Sequence, residues 1–249
     1  MMKIIALPFA GGNKYSFKKL EKFLPDSVAW ITLELPGRGG RFDQPILDDI
    51  DLMVSDLFEQ IKLYVSEGEY MIYGHSMGTV LGYELTKLLV KLKYKLPQCL
   101  FFTGRGAPGV HEMDRRSILP KNKFWVRVKN MGGLPKEILE HEELLELFYP
   151  ILKADFKALE NYQFIPMHTP LPMPIFINIG ADEVGDTIDK ISKEAIEAWK
   201  QETLFPQKTE FIPGDHFFIL TYPEHVVTKI VNAFHTAVKI NEPLKKRIY

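Results

Sequence analysis

Short runs of apolar residues recur along the chain, and longer stretches with helical periodicity separate them. Runs that are apolar at nearly every position are typical of strands buried on both faces of a parallel sheet. The longer stretches then correspond to the crossover helices that parallel strands require. We predict an α/β protein with a mostly parallel central sheet flanked by helices. Its predicted strands cover residues 3–7, 28–35, 69–73, 98–103, 175–179 and 208–212.

Three of the intervening stretches have a clear helical period. They cover residues 47–66, 77–92 and 223–239, and the first of them carries acidic residues in its first turn, next to the positive end of the helix dipole. Residues 114–164 break the alternation, because they contain helical periodicity without a convincing strand. We interpret this stretch as a helical insertion over the sheet, within one domain that covers residues 1–249.

Composition and charge exclude several classes of function. The 31 Lys and Arg residues nearly balance the 32 Asp and Glu residues, and a net charge of -1 gives no general attraction for nucleic acid. The single cysteine, Cys99, can form no intrachain disulfide. No apolar run approaches the roughly 18 residues that cross a membrane, and we interpret the apolar start of the chain as a strand rather than a signal peptide. We therefore expect a soluble, cytoplasmic protein that binds neither nucleic acid nor membranes.

The sequence YGHSMGTV at residues 73–80 places Ser76 between Gly74 and Gly78. A G-x-S-x-G pentapeptide occurs by chance in on the order of one chain in ten, so its surroundings have to decide. A predicted buried strand precedes it and a predicted helix follows it, as the strained turn of a nucleophilic serine requires. Glycines suit such a turn, because side chains on either flank would collide with neighbouring backbone. We predict that Ser76 is a nucleophile.

A nucleophilic serine needs a base, which is usually a histidine held by a carboxylate. Of the seven histidines, His216 follows the last predicted strand after a glycine turn, where loops gather at the active edge of an α/β sheet. We predict that His216 is the base. The other six lie in the serine motif, on the last predicted helix, or in loops and the insertion: His75, His225, His235, His111, His141 and His168.

The carboxylate that orients the base should follow the preceding strand, 175–179. The loop there, GADEVGDTIDK, offers four acidic residues: Asp182, Glu183, Asp186 and Asp189. Asp182 lies nearest to the end of the strand, and we predict that it is the acid. Asp186 and Asp189 remain as alternatives.

An oxyanion hole completes such a site, and backbone N–H groups of the residue after the nucleophile and of an early loop form it. Met77 follows Ser76, and LPFAGG at 7–12 leaves the first predicted strand, with Ala10 as the second donor.

TGRGAPG at 103–109 has a G-x-G-x-x-G spacing, but Pro108 interrupts it, so we expect a loop at the active edge rather than a dinucleotide site. The sequence has no H-E-x-x-H motif and no P-loop, and we expect neither a metal nor a cofactor.

These motifs together resemble one family. The blocks LPFAGG, LELPGRGGRFDQP, YGHSMG, TGRGAP and PGDHFFI, and the insertion segments MGGLPKEIL and LLELFYPILKADFKALENY, are similar to those of type II thioesterases. Type II thioesterases are the stand-alone editing hydrolases of polyketide and nonribosomal peptide assembly lines. The resemblance runs almost end to end, and LPGRG and LKADF are specific to it, since general esterases share only the serine motif. The acid loop is longer than the family's usual G-x-x-D turn.

The resemblance implies an α/β-hydrolase fold with a helical lid, here residues 114–164. It implies Ser76 as nucleophile, His216 as base, an aspartate after the IFINIG strand, and the backbone of Ala10 and Met77 as oxyanion donors. The implied reaction removes misprimed or stalled acyl groups from the phosphopantetheine arm of an acyl- or peptidyl-carrier protein. We expect the enzyme to be a monomer.

The composition of the insertion agrees with a lid over an acyl chain. It mixes apolar and charged residues, and NMGGLP at 130–135 supplies glycines between its helices. We expect a mobile lid that receives the phosphopantetheine arm and meets an acidic carrier protein through four cations: Lys121, Lys123, Arg127 and Lys129. Two other functions stay open, a carboxylesterase or acyltransferase with the same chemistry, and a non-catalytic binding protein that kept a hydrolase fold.

Overall fold

A six-stranded sheet forms the centre of the structure, a computed structural model that describes residues 1–110, 115–134, 136–187 and 189–245. Its strands are β1 (Met2–Leu7), β2 (Val28–Thr32), β3 (Tyr70–His75), β4 (Leu100–Thr103), β5 (Ile175–Gly180) and β6 (Thr209–Ile212). They run parallel in the order β2-β1-β3-β4-β5-β6. Each predicted strand is present, and the prediction of a mostly parallel sheet is confirmed.

Helices cover both faces of this sheet. They are α1 (Lys18–Glu21), α2 (Ile50–Val65), α3 (Met77–Lys91), α4 (Lys121–Met131), α5 (Lys136–Glu140), α6 (Glu142–Asn161), α7 (Lys193–Glu197), α8 (Phe218–Thr221) and α9 (Pro223–Lys245). Successive side chains of a strand point to opposite faces, so Ile5 packs with α2 and α3 while Ile4 packs with α1, α8 and α9. Within the described ranges, no helix is both long and apolar enough to cross a membrane.

The predicted helices correspond to α2, α3 and α9. Helix α2 begins at an N-cap, where the Asp49 carboxylate accepts the N–H of Leu52 at 3.0 Å. Its residues Met53, Leu57 and Ile61 recur every four positions and are fully buried. The short helices α1, α7 and α8 were missed, because four or five residues show no period and depend on tertiary packing.

Helices α4, α5 and α6 lie between β4 and β5, in the stretch predicted as a helical insertion, and we call them the insertion below. Asp114, where the predicted insertion begins, and His111 lie outside the described residues. Helices α4 and α6 pack through an aromatic cluster of Phe124, Trp125, Tyr149 and Phe156. The buried residues of α6 all follow Pro150: Ile151, Leu152, Asp155, Phe156, Ala158 and Leu159. The second part of α6 therefore belongs to the packed body of the protein.

Candidate active site

The serine motif folds as a tight turn between β3 and α3. Ser76 has a φ of +54°, which is uncommon for a residue with a side chain and marks a strained turn. Its N–H donates to the carbonyl oxygen of Thr103 in β4 at 2.9 Å. Helix α3 begins at the next residue, Met77, and the first N–H groups of a helix find no acceptor within the helix. The turn thus places a strained serine at a helix N-terminus.

Close backbone contacts require both glycines of the motif. A Cβ atom on Gly78 would lie 2.0 Å from the carbonyl oxygen of Leu7, and one on Gly74 would lie 2.3 Å from the carbonyl oxygen of Gly78. A side chain at either position would have to displace backbone of β1 or of the turn. The packing of α3 against the sheet, and not chance, therefore accounts for the glycine spacing around Ser76.

His216 lies in the loop between β6 and α8 and contacts a carboxylate. Its Nδ1 is 2.6 Å from Oε2 of Glu183, whose other oxygen, Oε1, accepts the N–H of Gly180 at 2.7 Å. The Glu183 side chain is only 5% exposed. The opposite ring nitrogen, Nε2, is buried and has no hydrogen-bond partner among the described residues. A histidine in this arrangement is held through one nitrogen, and the other is left to exchange a proton.

The contact with Glu183 contradicts the prediction that Asp182 is the carboxylate partner of His216. Strand β5 continues to Gly180, and the 3-10 turn Ala181–Glu183 brings residue 183 over the strand end while Asp182 faces solvent. Gly180 is needed here, since a Cβ atom would lie 2.5 Å from the carbonyl oxygen of Asp215. The spacing Gly180-x-x-Glu183 reproduces the family's G-x-x-D turn with glutamate in place of aspartate, so our expectation of a longer acid loop is wrong. This spacing was the signal that could have identified Glu183.

The alternative acids also lie elsewhere. Asp186 is exposed, and Asp189 forms ion pairs with Nη2 of Arg116 at 2.9 Å and with Nη1 of Arg127 at 3.1 Å. Arg127 belongs to α4, so Asp189 ties the acid loop to the insertion.

Two of the four cations predicted to meet a carrier protein have partners within the chain. Arg127 pairs with Asp189, and Lys121 pairs with Glu146 of α6. Lys123 and Lys129 are exposed on α4. Lys121 and Arg127 are each 40% exposed as well, but their charges are already matched by an acidic side chain of the chain itself.

His75, for which we predict no role, is a buried neighbour of His216. The two ring centroids are 4.9 Å apart, and Nδ1 of His75 lies 2.9 Å from Oγ1 of Thr103. Gly104 makes room for both rings, because a Cβ atom there would lie 2.7 Å from Cε1 of His75 and 3.2 Å from Cε1 of His216. Complete burial and the charge of His216 hold the pKa of His75 well below its ordinary 6.5, against an opposing effect of the Thr103 contact. His75 is therefore neutral in the folded protein.

The LPFAGG loop forms a tight turn beside the serine. Gly12 N–H donates to the carbonyl oxygen of Phe9 at 2.8 Å, and Gly11 has a φ of +76°, the value that the third residue of a type II turn requires. The C=O and N–H of one trans peptide point in opposite directions. Because the Phe9 carbonyl points toward Gly12, the N–H of Ala10 points away from the turn. This orientation agrees with the prediction of Ala10 as an oxyanion donor.

A cavity of about 280 Å³ joins these parts. Ser76, His216, Glu183 and Ala10 line it, as do apolar side chains of the insertion: Val128, Met131, Leu134, Leu152, Phe156 and Leu159. Such a lining can hold an apolar chain beside the serine.

In the part of the chain that the structure describes, no cluster of three His, Cys, Asp or Glu residues could hold a metal ion. Residues 104–110 form a loop and a turn rather than the helix N-terminus that cradles a pyrophosphate, and a Cβ atom on Gly106 would lie 2.6 Å from Ala195. These glycines serve packing.

Comparison with known proteins gives a consistent result. A family model described as "Thioesterase domain" matches residues 2–237. "Linear gramicidin dehydrogenase LgrE" of Brevibacillus parabrevis is 29% identical, over 91% of this chain and 85% of its own length. Among solved structures, ClbQ from the colibactin NRPS/PKS pathway is 28% identical with a TM-score of 0.87, covering 96% of this chain and 99% of ClbQ. YbtT, a type II thioesterase from the yersiniabactin NRPS/PKS pathway, is 28% identical with a TM-score of 0.81, covering 95% and 94%.

Proposed function

The chain belongs to the thioesterase domain family, and we propose that it is an editing type II thioesterase that releases acyl groups from the phosphopantetheine arms of carrier proteins. Membership confirms the family and the α/β-hydrolase fold that the sequence motifs predict. The observation that carries the proposal is the convergence of Ser76, His216 and Glu183 on one cavity, walled by apolar residues of the insertion. The two solved relatives from NRPS/PKS pathways support the assembly-line setting.

In the acylation step, Oγ of Ser76 attacks the thioester carbonyl carbon while Nε2 of His216 takes the hydroxyl proton. Negative charge develops on the carbonyl oxygen, where the N–H groups of Ala10 and Met77 would receive it. Glu183 holds Nδ1 of His216 and stabilises the imidazolium. Collapse of the intermediate breaks the C–S bond, and the imidazolium returns its proton to the leaving pantetheine thiolate.

Deacylation repeats the sequence with water as the nucleophile. His216 takes a proton from water, the hydroxide attacks the acyl–Ser76 ester, and the proton goes to Oγ of Ser76 as the free acid leaves. The apolar insertion beside the serine favours retention of the acyl chain and limits the number of waters near the ester.

Helix α4 is the proposed contact for the carrier protein. Its inner side lines the cavity through Val128 and Met131, while Lys123, Val126 and Lys129 are exposed on its outer side, Val126 to 58%. An apolar residue between two cations suits an acidic partner surface with an apolar centre. A carrier protein docked on α4 would stand directly over the cavity that its arm has to enter.

The proposal is tested by hydrolysis rates of the wild-type protein on acyl-carrier proteins, acyl-CoAs and matched oxygen esters, with Ser76→Ala as the control. We expect carrier-bound thioesters to give the highest kcat/KM and intact mass spectrometry to trap an acyl group on Ser76. Faster turnover of the oxygen esters would make it a carboxylesterase. Acyl transfer to an added amine or thiol in preference to water would make it an acyltransferase. A protein that a fluorophosphonate does not label at Ser76 would be a binding protein.

A further inference from the structure

A buried ion pair joins two segments that the mechanism does not use, LPGRG and LKADF. Nη1 and Nη2 of Arg38 lie 2.6 and 2.8 Å from Oδ2 and Oδ1 of Asp155, in a bidentate geometry. The side chains are 2% and 0% exposed. Arg38 follows β2, and Asp155 lies in the buried part of α6. The pair therefore connects the sheet region directly to the insertion.

The same carboxylate also accepts a hydrogen bond from the LPFAGG turn. Oδ2 of Asp155 accepts the N–H of Gly11 at 2.7 Å, and Nη1 of Arg38 lies 3.5 Å from the carbonyl oxygen of Gly12. Helix α6 also packs on this loop, since a Cβ atom on Gly11 would lie 2.6 Å from Cδ2 of Leu152. The two peptides on either side of Ala10 are therefore fixed, the first by the turn's own hydrogen bond and the second by Asp155.

We propose that Arg38 and Asp155 are positioning residues that hold the LPFAGG turn so that the N–H of Ala10 meets the oxyanion. The proposal rests on the serine mechanism given above. A buried ion pair is by itself a weak source of stability, because the cost of removing both charges from water offsets their attraction. The third contact of the carboxylate, to Gly11, gives the pair a second purpose. Arg38 holds the Asp155 carboxylate in one position through two hydrogen bonds, and Asp155 transmits that rigidity to the backbone beside the reacting carbonyl.

The test replaces the pair by apolar residues of similar volume, Arg38→Met with Asp155→Leu, which preserves packing but removes the acceptor of Gly11 N–H. Steady-state kinetics on an acyl-N-acetylcysteamine thioester should show kcat lowered about 10²-fold, as for a small misplacement of a catalytic group, with KM nearly unchanged. Inhibition by an acyl trifluoromethyl ketone, which forms an oxyanion on Ser76, should weaken by the same factor. A purely structural role would lower the melting temperature and leave both values alone in the folded fraction.

The matched control is Arg41→Met with Asp56→Leu. That pair is also bidentate, at 2.6 Å for each contact. Arg41 lies in the same LPGRGGR segment and Asp56 lies in α2, and neither lines the cavity. The control should keep wild-type kcat and ketone affinity. Equal losses in both double variants, wild-type kcat in the Arg38/Asp155 variant, or a loss that falls on KM would each overturn the proposal.

If the double variant does not fold, Arg38→Lys decides the question. Lysine keeps the charge but loses the bidentate contact with Asp155, so kcat should fall about tenfold at constant KM. An unchanged kcat would overturn the proposal. The proposed function fails separately, if the wild-type protein hydrolyses no acyl thioester. In that case the labelling rate of Ser76 by a fluorophosphonate still reports on the turn, because the phosphonyl oxygen occupies the same hole.

Discussion

Replacement of Glu183 by glutamine tests the assignment of the catalytic acid most directly. Both carboxylate oxygens act as acceptors, Oε1 from Gly180 N–H at 2.7 Å and Oε2 from Nδ1 of His216 at 2.6 Å. An amide has one acceptor oxygen and one NH₂ donor. Because the Gly180 N–H is buried and fixed, it should keep the oxygen, and the NH₂ group then faces Nδ1 of His216.

That exchange imposes the wrong tautomer on the base. With a donor opposite Nδ1, the ring proton moves to Nε2, which can no longer accept the proton of Ser76. The corresponding change in the best-known triad lowers kcat by roughly 10⁴, and four factors of ten correspond to about 5.4 kcal/mol of transition-state free energy. We expect Glu183→Gln to lose about that much, with little change in fold because the two side chains are nearly isosteric.

The assay is single-turnover hydrolysis of an acyl thioester, with circular dichroism to verify the fold. The control is Asp182→Asn, which should stay within about threefold of the wild type, since the side chain of Asp182 faces solvent. If Glu183→Gln retains more than a tenth of wild-type activity while Asp182→Asn is crippled, the contact in the structure is not the catalytic one and our assignment fails.

Four further outcomes follow from the site. Ser76→Ala should lose several orders of magnitude in kcat and form no acyl-enzyme in mass spectrometry; burst kinetics in that variant would contradict the mechanism. Gly78→Ala should lower the free energy of unfolding in urea by at least about 3 kcal/mol, because its Cβ meets the backbone of β1, and a silent change would disprove the close contact. Lys123→Glu with Lys129→Glu should raise KM for an acyl-carrier protein about tenfold and leave a small thioester unaffected; equal effects on both would place docking elsewhere. His75 binds a proton less readily in the folded than in the unfolded protein, so its contribution to stability is complete above pH 6.5 and falls by about 1.4 kcal/mol per pH unit below it. In urea unfolding between pH 7 and 5.5, the free energy of unfolding should therefore fall less steeply with pH in His75→Gln than in the wild type.

The sheet and the strained turn at Ser76 could be predicted from sequence because local patterns encode them. A strand buried on both faces has to be apolar at nearly every position, so β1, β3 and β4 stand out without any knowledge of their partners. The turn at Ser76 needs glycines at fixed positions, and no distant residue alters that requirement. The position of His216 beside the Ser76 cavity could be predicted from its place after the last strand.

The carboxylate that contacts His216 and the Arg38–Asp155 ion pair could not be predicted in the same way. Nearness to the strand end favoured Asp182, but β5 extends one residue further than its apolar run and a 3-10 turn decides which carboxylate points inward. Arg38 and Asp155 are 117 residues apart, and each looks like a solvated charge until the fold brings them together. Contacts of this kind depend on tertiary structure and produce no periodic pattern in the sequence.

The division of α6 at Pro150 determines where related enzymes can be recombined. A chimaera that exchanges the whole insertion would replace Asp155, the partner of Arg38 and Gly11, by a residue of another enzyme. It would disturb the LPFAGG turn, although only the helices over the cavity were meant to change. A crossover at Pro150 instead transplants α4, α5 and the first part of α6, with the outward face of α4 and much of the cavity wall. Acyl preference and carrier choice should travel with that fragment, and catalytic competence should stay with the recipient.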